Sequence, residues 1–148
     1  MVGILIVSHG RLAEALISSV ECLVGKLQKI RGVSIWPRDK EEEIRGQIQK
    51  EMAEVEDGEG VVILTDILGG TPTNLSLPLL EDEKVEVVTG VNMPMLMALL
   101  SHRTGRSLRE ISKLVKKSGR RSIILAKGVL GLERRRAKSE ISKRTVPL

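Results

Sequence analysis

Short apolar runs alternate with segments of helical spacing along most of this chain, and that alternation constrains the fold more than any single motif. Strands are expected over residues 3–7, 29–35, 61–65 and 85–89, with a last one over 122–126. After the first, Leu12, Ala13, Leu16, Ile17, Val20, Leu23 and Val24 recur at helical spacing, and Gly25 supplies a stop. Asp39 with Glu42 opens a longer helix whose buried stripe is Ile44, Ile48, Met52 and Val55. A third helix is expected over 72–80, and a fourth follows the loop Gly90-Val91-Asn92-Met93-Pro94. Ser107 and Glu110 form a capping box for a fifth, carrying Ile111, Leu114 and Val115. Alternating β and α elements with short links imply an α/β fold, a three-layer αβα sandwich around a mainly parallel, doubly wound sheet. In the common strand order 2-1-3-4, strands one and three are neighbours and their carboxyl ends flank the switch point where such folds bind ligands.

The chain has 148 residues, 41% of them hydrophobic, which suits one globular domain. Its single cysteine, Cys22, falls on an apolar helical pattern and reads as a small core residue in a reducing compartment. No apolar run reaches membrane-spanning length and the amino-terminal run lacks a basic leader, so a cytoplasmic protein is expected. The net charge of +5 is localised: residues 1–126 carry 17 basic and 17 acidic residues, whereas 127–148 carry seven basic and two acidic ones. With Trp36 the only aromatic residue, base stacking is nearly unavailable and no nucleic-acid partner is expected. Residues 128–148 read as a solvated, partly disordered basic tail.

Two strand ends carry the chemistry. His9 stands just past the first apolar run and before Gly10, where it either hydrogen-bonds nearby backbone or does proton or phosphoryl chemistry. The run from Val61 ends in Asp66, followed by Gly69, Gly70, Thr71 and Pro72. The glycines let backbone pass close to a ligand, and Thr71-Pro72 reads as an N-cap and first helical residue. Free amides at such a helix start favour an anion. Asp66 beside His9 would hold one ring N–H and leave the other nitrogen as a nucleophile, with the amides of Gly69 to Thr71 near the phosphoryl oxygens. The segment lacks the lysine of a P-loop and the glycine spacing of a dinucleotide fingerprint.

Over nearly all of residues 1–127 the chain resembles the EIIA component of the mannose-type family of the phosphoenolpyruvate-dependent sugar phosphotransferase system. Three ordered blocks carry the resemblance: Ser8-His9-Gly10; Asp66 with Gly69-Gly70-Thr71-Pro72 and Asn74; and Gly90-Val91-Asn92 with Pro94-Met95-Leu96. It implies that HPr phosphorylates His9, that His9 passes the group to an EIIB protein, and that Asp66 orients the histidine. It also implies a homodimer in which the strand over 122–126 crosses to the partner, an indirect link to membrane EIIC and EIID components, and no cofactor. The chain departs from the family at Thr71, where serine is frequent, and at Leu68 and Thr73, where well-known sugar transporters carry aromatics. The EIIB protein is expected on a separate chain, after a division into an EIIA-like domain (1–127) and the basic tail (128–148).

Two alternatives accompany this reading. A regulatory phosphoprotein of the same fold would have no sugar of its own. A strand-end Ser-His-Gly also resembles the small cobalt and iron chelatases of tetrapyrrole synthesis, but no histidine sits in the Asp66 loop to supply a second ligand. His102, the other histidine, follows Leu99-Leu100 at a helix end, where free carbonyls commonly engage it. Arg11 is expected to be solvated, and Met93, Met95 and Met97 read as packing residues, so no metal site is assigned.

Overall fold

A computed structural model describes residues 1–144 of the chain. In chain order it contains β1 (Gly3–His9), α1 (Leu12–Val24), β2 (Ile30–Ile35), α2 (Glu41–Val55), β3 (Val61–Thr65), α3 (Thr71–Ser76), β4 (Val85–Thr89), α4 (Met93–His102), α5 (Leu108–Arg121) and α6 (Ala126–Arg144). All strand pairings are parallel, as the alternation predicts, and the order is the common one, β2-β1-β3-β4. Every residue of β3 and the first six of β1 are buried, because helices cover both faces of these central strands.

The period-2 alternation of side chains sorts the core into two layers. Ile4, Ile6, Val62 and Leu64 face one side, where they meet Ala13 and Val20 of α1, Leu96 and Leu99 of α4, and Ile111 and Val115 of α5. Leu5, Val7, Val33 and Ile63 face the other, against Ile44, Ile48 and Val55 of α2 and Leu75 of α3. The Ser107 and Glu110 capping box is present, each side chain bonded to the other residue's backbone N–H. Asn92 caps α4 by accepting from the Met95 N–H at 3.1 Å.

Several expectations are corrected. The strand over 122–126 does not form within one chain. Ser122 ends α5, its N–H and hydroxyl donating to carbonyls of the last turn. Ile123, Ile124 and Leu125 then run exposed, and the Leu125 carbonyl accepts from Gly128 and Val129 as the chain turns into α6. A strand needs a ladder partner, and no strand edge of the same chain pairs with this segment among the described residues. The basic tail is not irregular: its residues through Arg144 lie in α6, consistent with their content of Leu, Glu, Arg, Ala and Lys, and 145–148 lie outside the described residues.

Smaller differences have local causes. Asp39 does not cap α2, which starts at Glu41 without a side-chain cap; its carboxylate instead accepts the Trp36 N–H at 2.7 Å. The third helix stops at Ser76 and continues as a 3₁₀ turn, Leu77–Glu81, because Pro78 has no N–H to continue the α pattern. On α1 the apolar pattern is wider than the buried face, so Leu12, Leu23, Val24 and also Cys22 are exposed. Met95 is buried, with Met93 and Met97 packed against the same core.

Candidate functional site

β1 and β3 are neighbours, with Val7 opposite Thr65, and the chain leaves both strands at the same edge of the sheet. His9 closes β1 and Asp66 follows β3 directly. The two residues, 57 apart in sequence, meet: Asp66 Oδ2 accepts from the His9 backbone N–H at 2.8 Å and lies 2.8 Å from ring Nδ1. The other carboxylate oxygen accepts from the Ile67 N–H at 2.9 Å.

Burial raises the Asp66 pKa, but the hydrogen bonds from the His9 amide and ring, the charge of that ring and the Ile67 amide outweigh it. The net displacement is below the usual aspartate value, so the group is ionised at neutral pH. An ionised carboxylate only accepts, which puts the ring proton on Nδ1 and leaves the Nε2 lone pair free. The His9 side chain is 50% exposed whereas Asp66 is 13% exposed, so a half-exposed ring rests on a shielded anchor.

The surrounding loops hold this pair. Ser8 is fully buried and its Oγ accepts from the Ala13 N–H at 2.8 Å, tying the end of β1 to the first turn of α1. Gly10 turns the chain with φ +55°, a region that disfavours side chains. Gly70 makes a close approach: a Cβ there would sit 2.8 Å from His9 Cε1 and 3.5 Å from Nε2. Gly69, at φ +84°, precedes it. Gly70, not Thr71, is the N-cap of α3; Thr71 is its exposed first residue, and its hydroxyl makes no cap bond.

Thr73, which departs from the family's aromatic residue, holds the loop in a way that no local pattern of residues shows. Its buried Oγ1 donates to the Ile67 carbonyl at 2.7 Å and lies 2.7 Å from Thr65 Oγ1, which must then act as donor to it. Thr73 thus clamps the Asp66 loop to the end of β3. Two threonines bracketing the loop are the only sequence signal for that role, and nothing local shows that they face each other.

His102 lies apart from the site, its Nδ1 3.0 Å from the Ala98 carbonyl at the end of α4. Among the described residues no group of three or more His, Cys, Asp or Glu side chains is placed to hold a metal ion. No helix among them is long and apolar enough to cross a membrane.

The family described as the PTS system fructose IIA component, EIIA-man, matches residues 3–116. The chain belongs to this mannose-type EIIA family. It is 30% identical over 124 residues to the mannose-specific EIIAB component of Escherichia coli (strain K12), a match covering 82% of this chain and 38% of that protein. The EIIA-type chain therefore spans well under half the length of that relative. It is 25% identical to the fructose-specific EIIA component of Bacillus subtilis (strain 168), covering 82% of this chain and 84% of that one. The crystal structure of the EIIA component from Streptococcus agalactiae superposes with a TM-score of 0.77 at 31% identity, covering 84% of this chain and 97% of that one.

Proposed function

We propose that this EIIA-type chain is a phosphocarrier in which His9 Nε2 takes a phosphoryl group from HPr and passes it to an EIIB protein. The observation that carries the reading is the double hydrogen bond from His9 to Asp66 Oδ2, which engages Nδ1 and leaves Nε2 out of that contact. In the first half-reaction the N–P bond of HPr breaks as the Nε2–P bond forms; in the second the Nε2–P bond breaks as phosphorus bonds to the EIIB acceptor, and Nδ1 keeps its proton in both. The ring gains positive charge as phosphorus bonds to it, and the adjacent carboxylate stabilises that charge. The first amides of α3 lack intrahelical acceptors, and those of Gly69, Gly70 and Thr71 are assigned to the phosphoryl oxygens.

EIIA components are phosphotransferases of sugar uptake, which supports the class of reaction. The division into an EIIA-like unit (1–127) and a basic tail, a cytoplasmic location, and an indirect link to EIIC and EIID membrane components belong to the same proposal. So does a homodimer in which residues 122–126 cross to the partner subunit, a reading supported by the exposed run Ile123, Ile124 and Leu125.

The test is intact mass after incubation with phosphoenolpyruvate, enzyme I and HPr. One acid-labile, base-stable phosphoryl group is expected on the natural chain and none on His9→Ala. Phosphorylation of His9→Ala at the natural rate overturns the assignment. Metal binding that depends on His9, without phosphorylation, would favour a chelatase-like reading instead.

A further inference from the structure

α5 carries a stripe of cations that nothing in the fold uses. Arg109, Lys113, Lys116, Lys117, Arg120 and Arg121 recur at helical spacing, and all six are exposed. Among the described residues none of them is in an ion pair. The last five line one surface depression, with no acidic or apolar residue among its walls. Glu110, the only acid of the helix, sits at its amino end in the capping box with Ser107. The stripe belongs to a wider separation of charge: residues 1–102 carry 9 basic and 16 acidic side chains, whereas 103–148 carry 15 basic and three acidic ones.

Folding does not account for this arrangement. Lys113 and Lys117, Lys116 and Arg120, and Lys117 and Arg121 stand four residues apart, and like charges at that spacing repel. Arg120 and Arg121 complement the negative end of the helix, but Arg109 lies in its first turn, at the positive end. A stripe that works against its own helix and has no partner inside the fold calls for a counter-charge from outside.

We propose that the outer face of α5 seats on an anionic lipid bilayer, its cations among the headgroup phosphates. The interaction goes beyond the phosphocarrier reading and does not depend on it. From Arg109 to Arg121 the stripe runs about 18 Å along the helix, too far for one small anion and matched to an array of headgroups. The depression holds no apolar anchor of the kind on which a protein interface is built. α5 also lies flat beside α4: Gly119 meets Met95 with no room for a side chain, and the Ser118 hydroxyl donates to the Pro94 carbonyl at 3.2 Å. A helix set into a layer presents a plane and cannot enter the major groove of a duplex. Trp36, the only ring on which a base could stack, follows β2, at the opposite edge of the sheet from the β4 strand that α5 packs against. The acidic excess of residues 1–102 is repelled by the same bilayer, which turns α5 toward it.

The test is cosedimentation of the full chain with vesicles of phosphatidylcholine, with and without phosphatidylglycerol. Partition into the anionic vesicles is expected, falling as salt is raised, with little into the neutral ones. A variant combining Lys113→Gln, Lys116→Gln and Lys117→Gln should lose roughly 100-fold in partition coefficient, about 5-fold for each lysine. A second variant, combining Lys26→Gln, Lys40→Gln and Lys50→Gln, removes the same charge from exposed positions elsewhere and should change the coefficient less than about 3-fold. All six lysines are exposed, so both variants keep the fold. Equal losses in the two variants would reduce the effect to net charge and overturn the docking face, as would equal partition into neutral vesicles. Tighter binding to duplex DNA than to anionic vesicles, with the same dependence on Lys113, Lys116 and Lys117, would overturn the bilayer in favour of nucleic acid. Displacement from the vesicles by inorganic phosphate, beyond that caused by sodium chloride at equal ionic strength, would overturn it in favour of a single-anion site.

Discussion

Asp66 Oδ2 accepts from His9 twice, from the backbone N–H and from ring Nδ1, each at 2.8 Å. One oxygen therefore sets both where the residue sits and how its ring is turned. Separating these two functions needs a substitution that keeps the shape and removes the charge.

Asp66→Asn is that substitution. Its carbonyl oxygen can still accept from the His9 backbone, so a stability loss of only about 1 kcal/mol is expected. It cannot stabilise charge on the ring as a carboxylate does, and phosphorylation of His9 should slow roughly 10²-fold or more. Rapid-quench phosphorylation together with thermal unfolding checks both. Equal rates in the two proteins would make Asp66 purely structural.

Gly69 and Gly70 should fail in different ways when changed to alanine. Gly70 has ordinary extended backbone, φ −85°, but its new Cβ would meet the His9 ring at 2.8 Å. The expected result is a displaced imidazole and a slower transfer with a small change in melting temperature. Gly69 has open space around it and a φ of +84°, so alanine there costs stability, about 1–2 kcal/mol, through backbone strain. Melting curves and phosphorylation rates of the two variants should rank in opposite order.

Glu56, between α2 and β3, supplies an acid-sensitive contact away from His9. Its Oε1 accepts from the N–H groups of Gly60 at 3.0 Å and Gly58 at 2.8 Å. The Gly60 bond leads in lowering its pKa; burial opposes it, and the Gly58 bond, the Lys84 charge and the Asp57 amide add to the lowering. A carboxyl lowered on folding contributes stability that is fully present above its unfolded value and is lost as pH falls through the lowered folded value. Glu56→Gln should therefore have a lower urea midpoint than the natural chain at pH 7, and the gap should close below about pH 4. A gap independent of pH would refute the linkage.

Arg103 is 6% exposed, and its guanidinium donates to the Gln28 carbonyl at 2.6 Å and the Lys29 carbonyl at 3.2 Å. Burial draws its pKa below the ordinary arginine value. Lys29 is held at φ +53°, so the arginine secures a turn that the backbone alone disfavours. Arg103→Met removes the side-chain donor of the Gln28 carbonyl and leaves the Lys29 carbonyl with the Ile4 N–H alone, and should cost about 1–3 kcal/mol, seen as a melting temperature several degrees lower. The effect belongs to the end of the sheet opposite His9, and the final extent of phosphorylation should be unchanged.

The segment after α5 can be tested by length. A chain ending at Gly128 is expected to remain dimeric and to accept phosphate, whereas one ending at Arg120 should lose the dimer or aggregate. Light scattering reads the assembly and intact mass reads the phosphoryl group. A monomeric full-length chain would remove the strand-exchange proposal, and loss of phosphorylation on ending at Gly128 would give the basic tail a role in transfer.

Local signals determined much of this protein. The periods of 2 and 3.6 in the apolar residues are properties of short segments, so they disclosed the four strands and the order of the helices. His9 and Asp66 were legible because each follows an apolar run and precedes a glycine-bearing turn. Tertiary structure decided what depends on choices among competing partners. Asp39 had the chemistry of a helix cap, but the nearby Trp36 N–H took its carboxylate. Thr73 stands out in the sequence only as a departure from the family; its hydroxyl's contacts with Thr65 and Ile67 exist only in the fold. Residues 122–126 carry a strand pattern, yet a strand is defined by its ladder, and one chain offers them none. A residue pattern encodes the geometry of its own segment; the register of β1 against β3, set by burial along both strands, is what brings one carboxylate oxygen and two nitrogens of His9 within hydrogen-bonding reach.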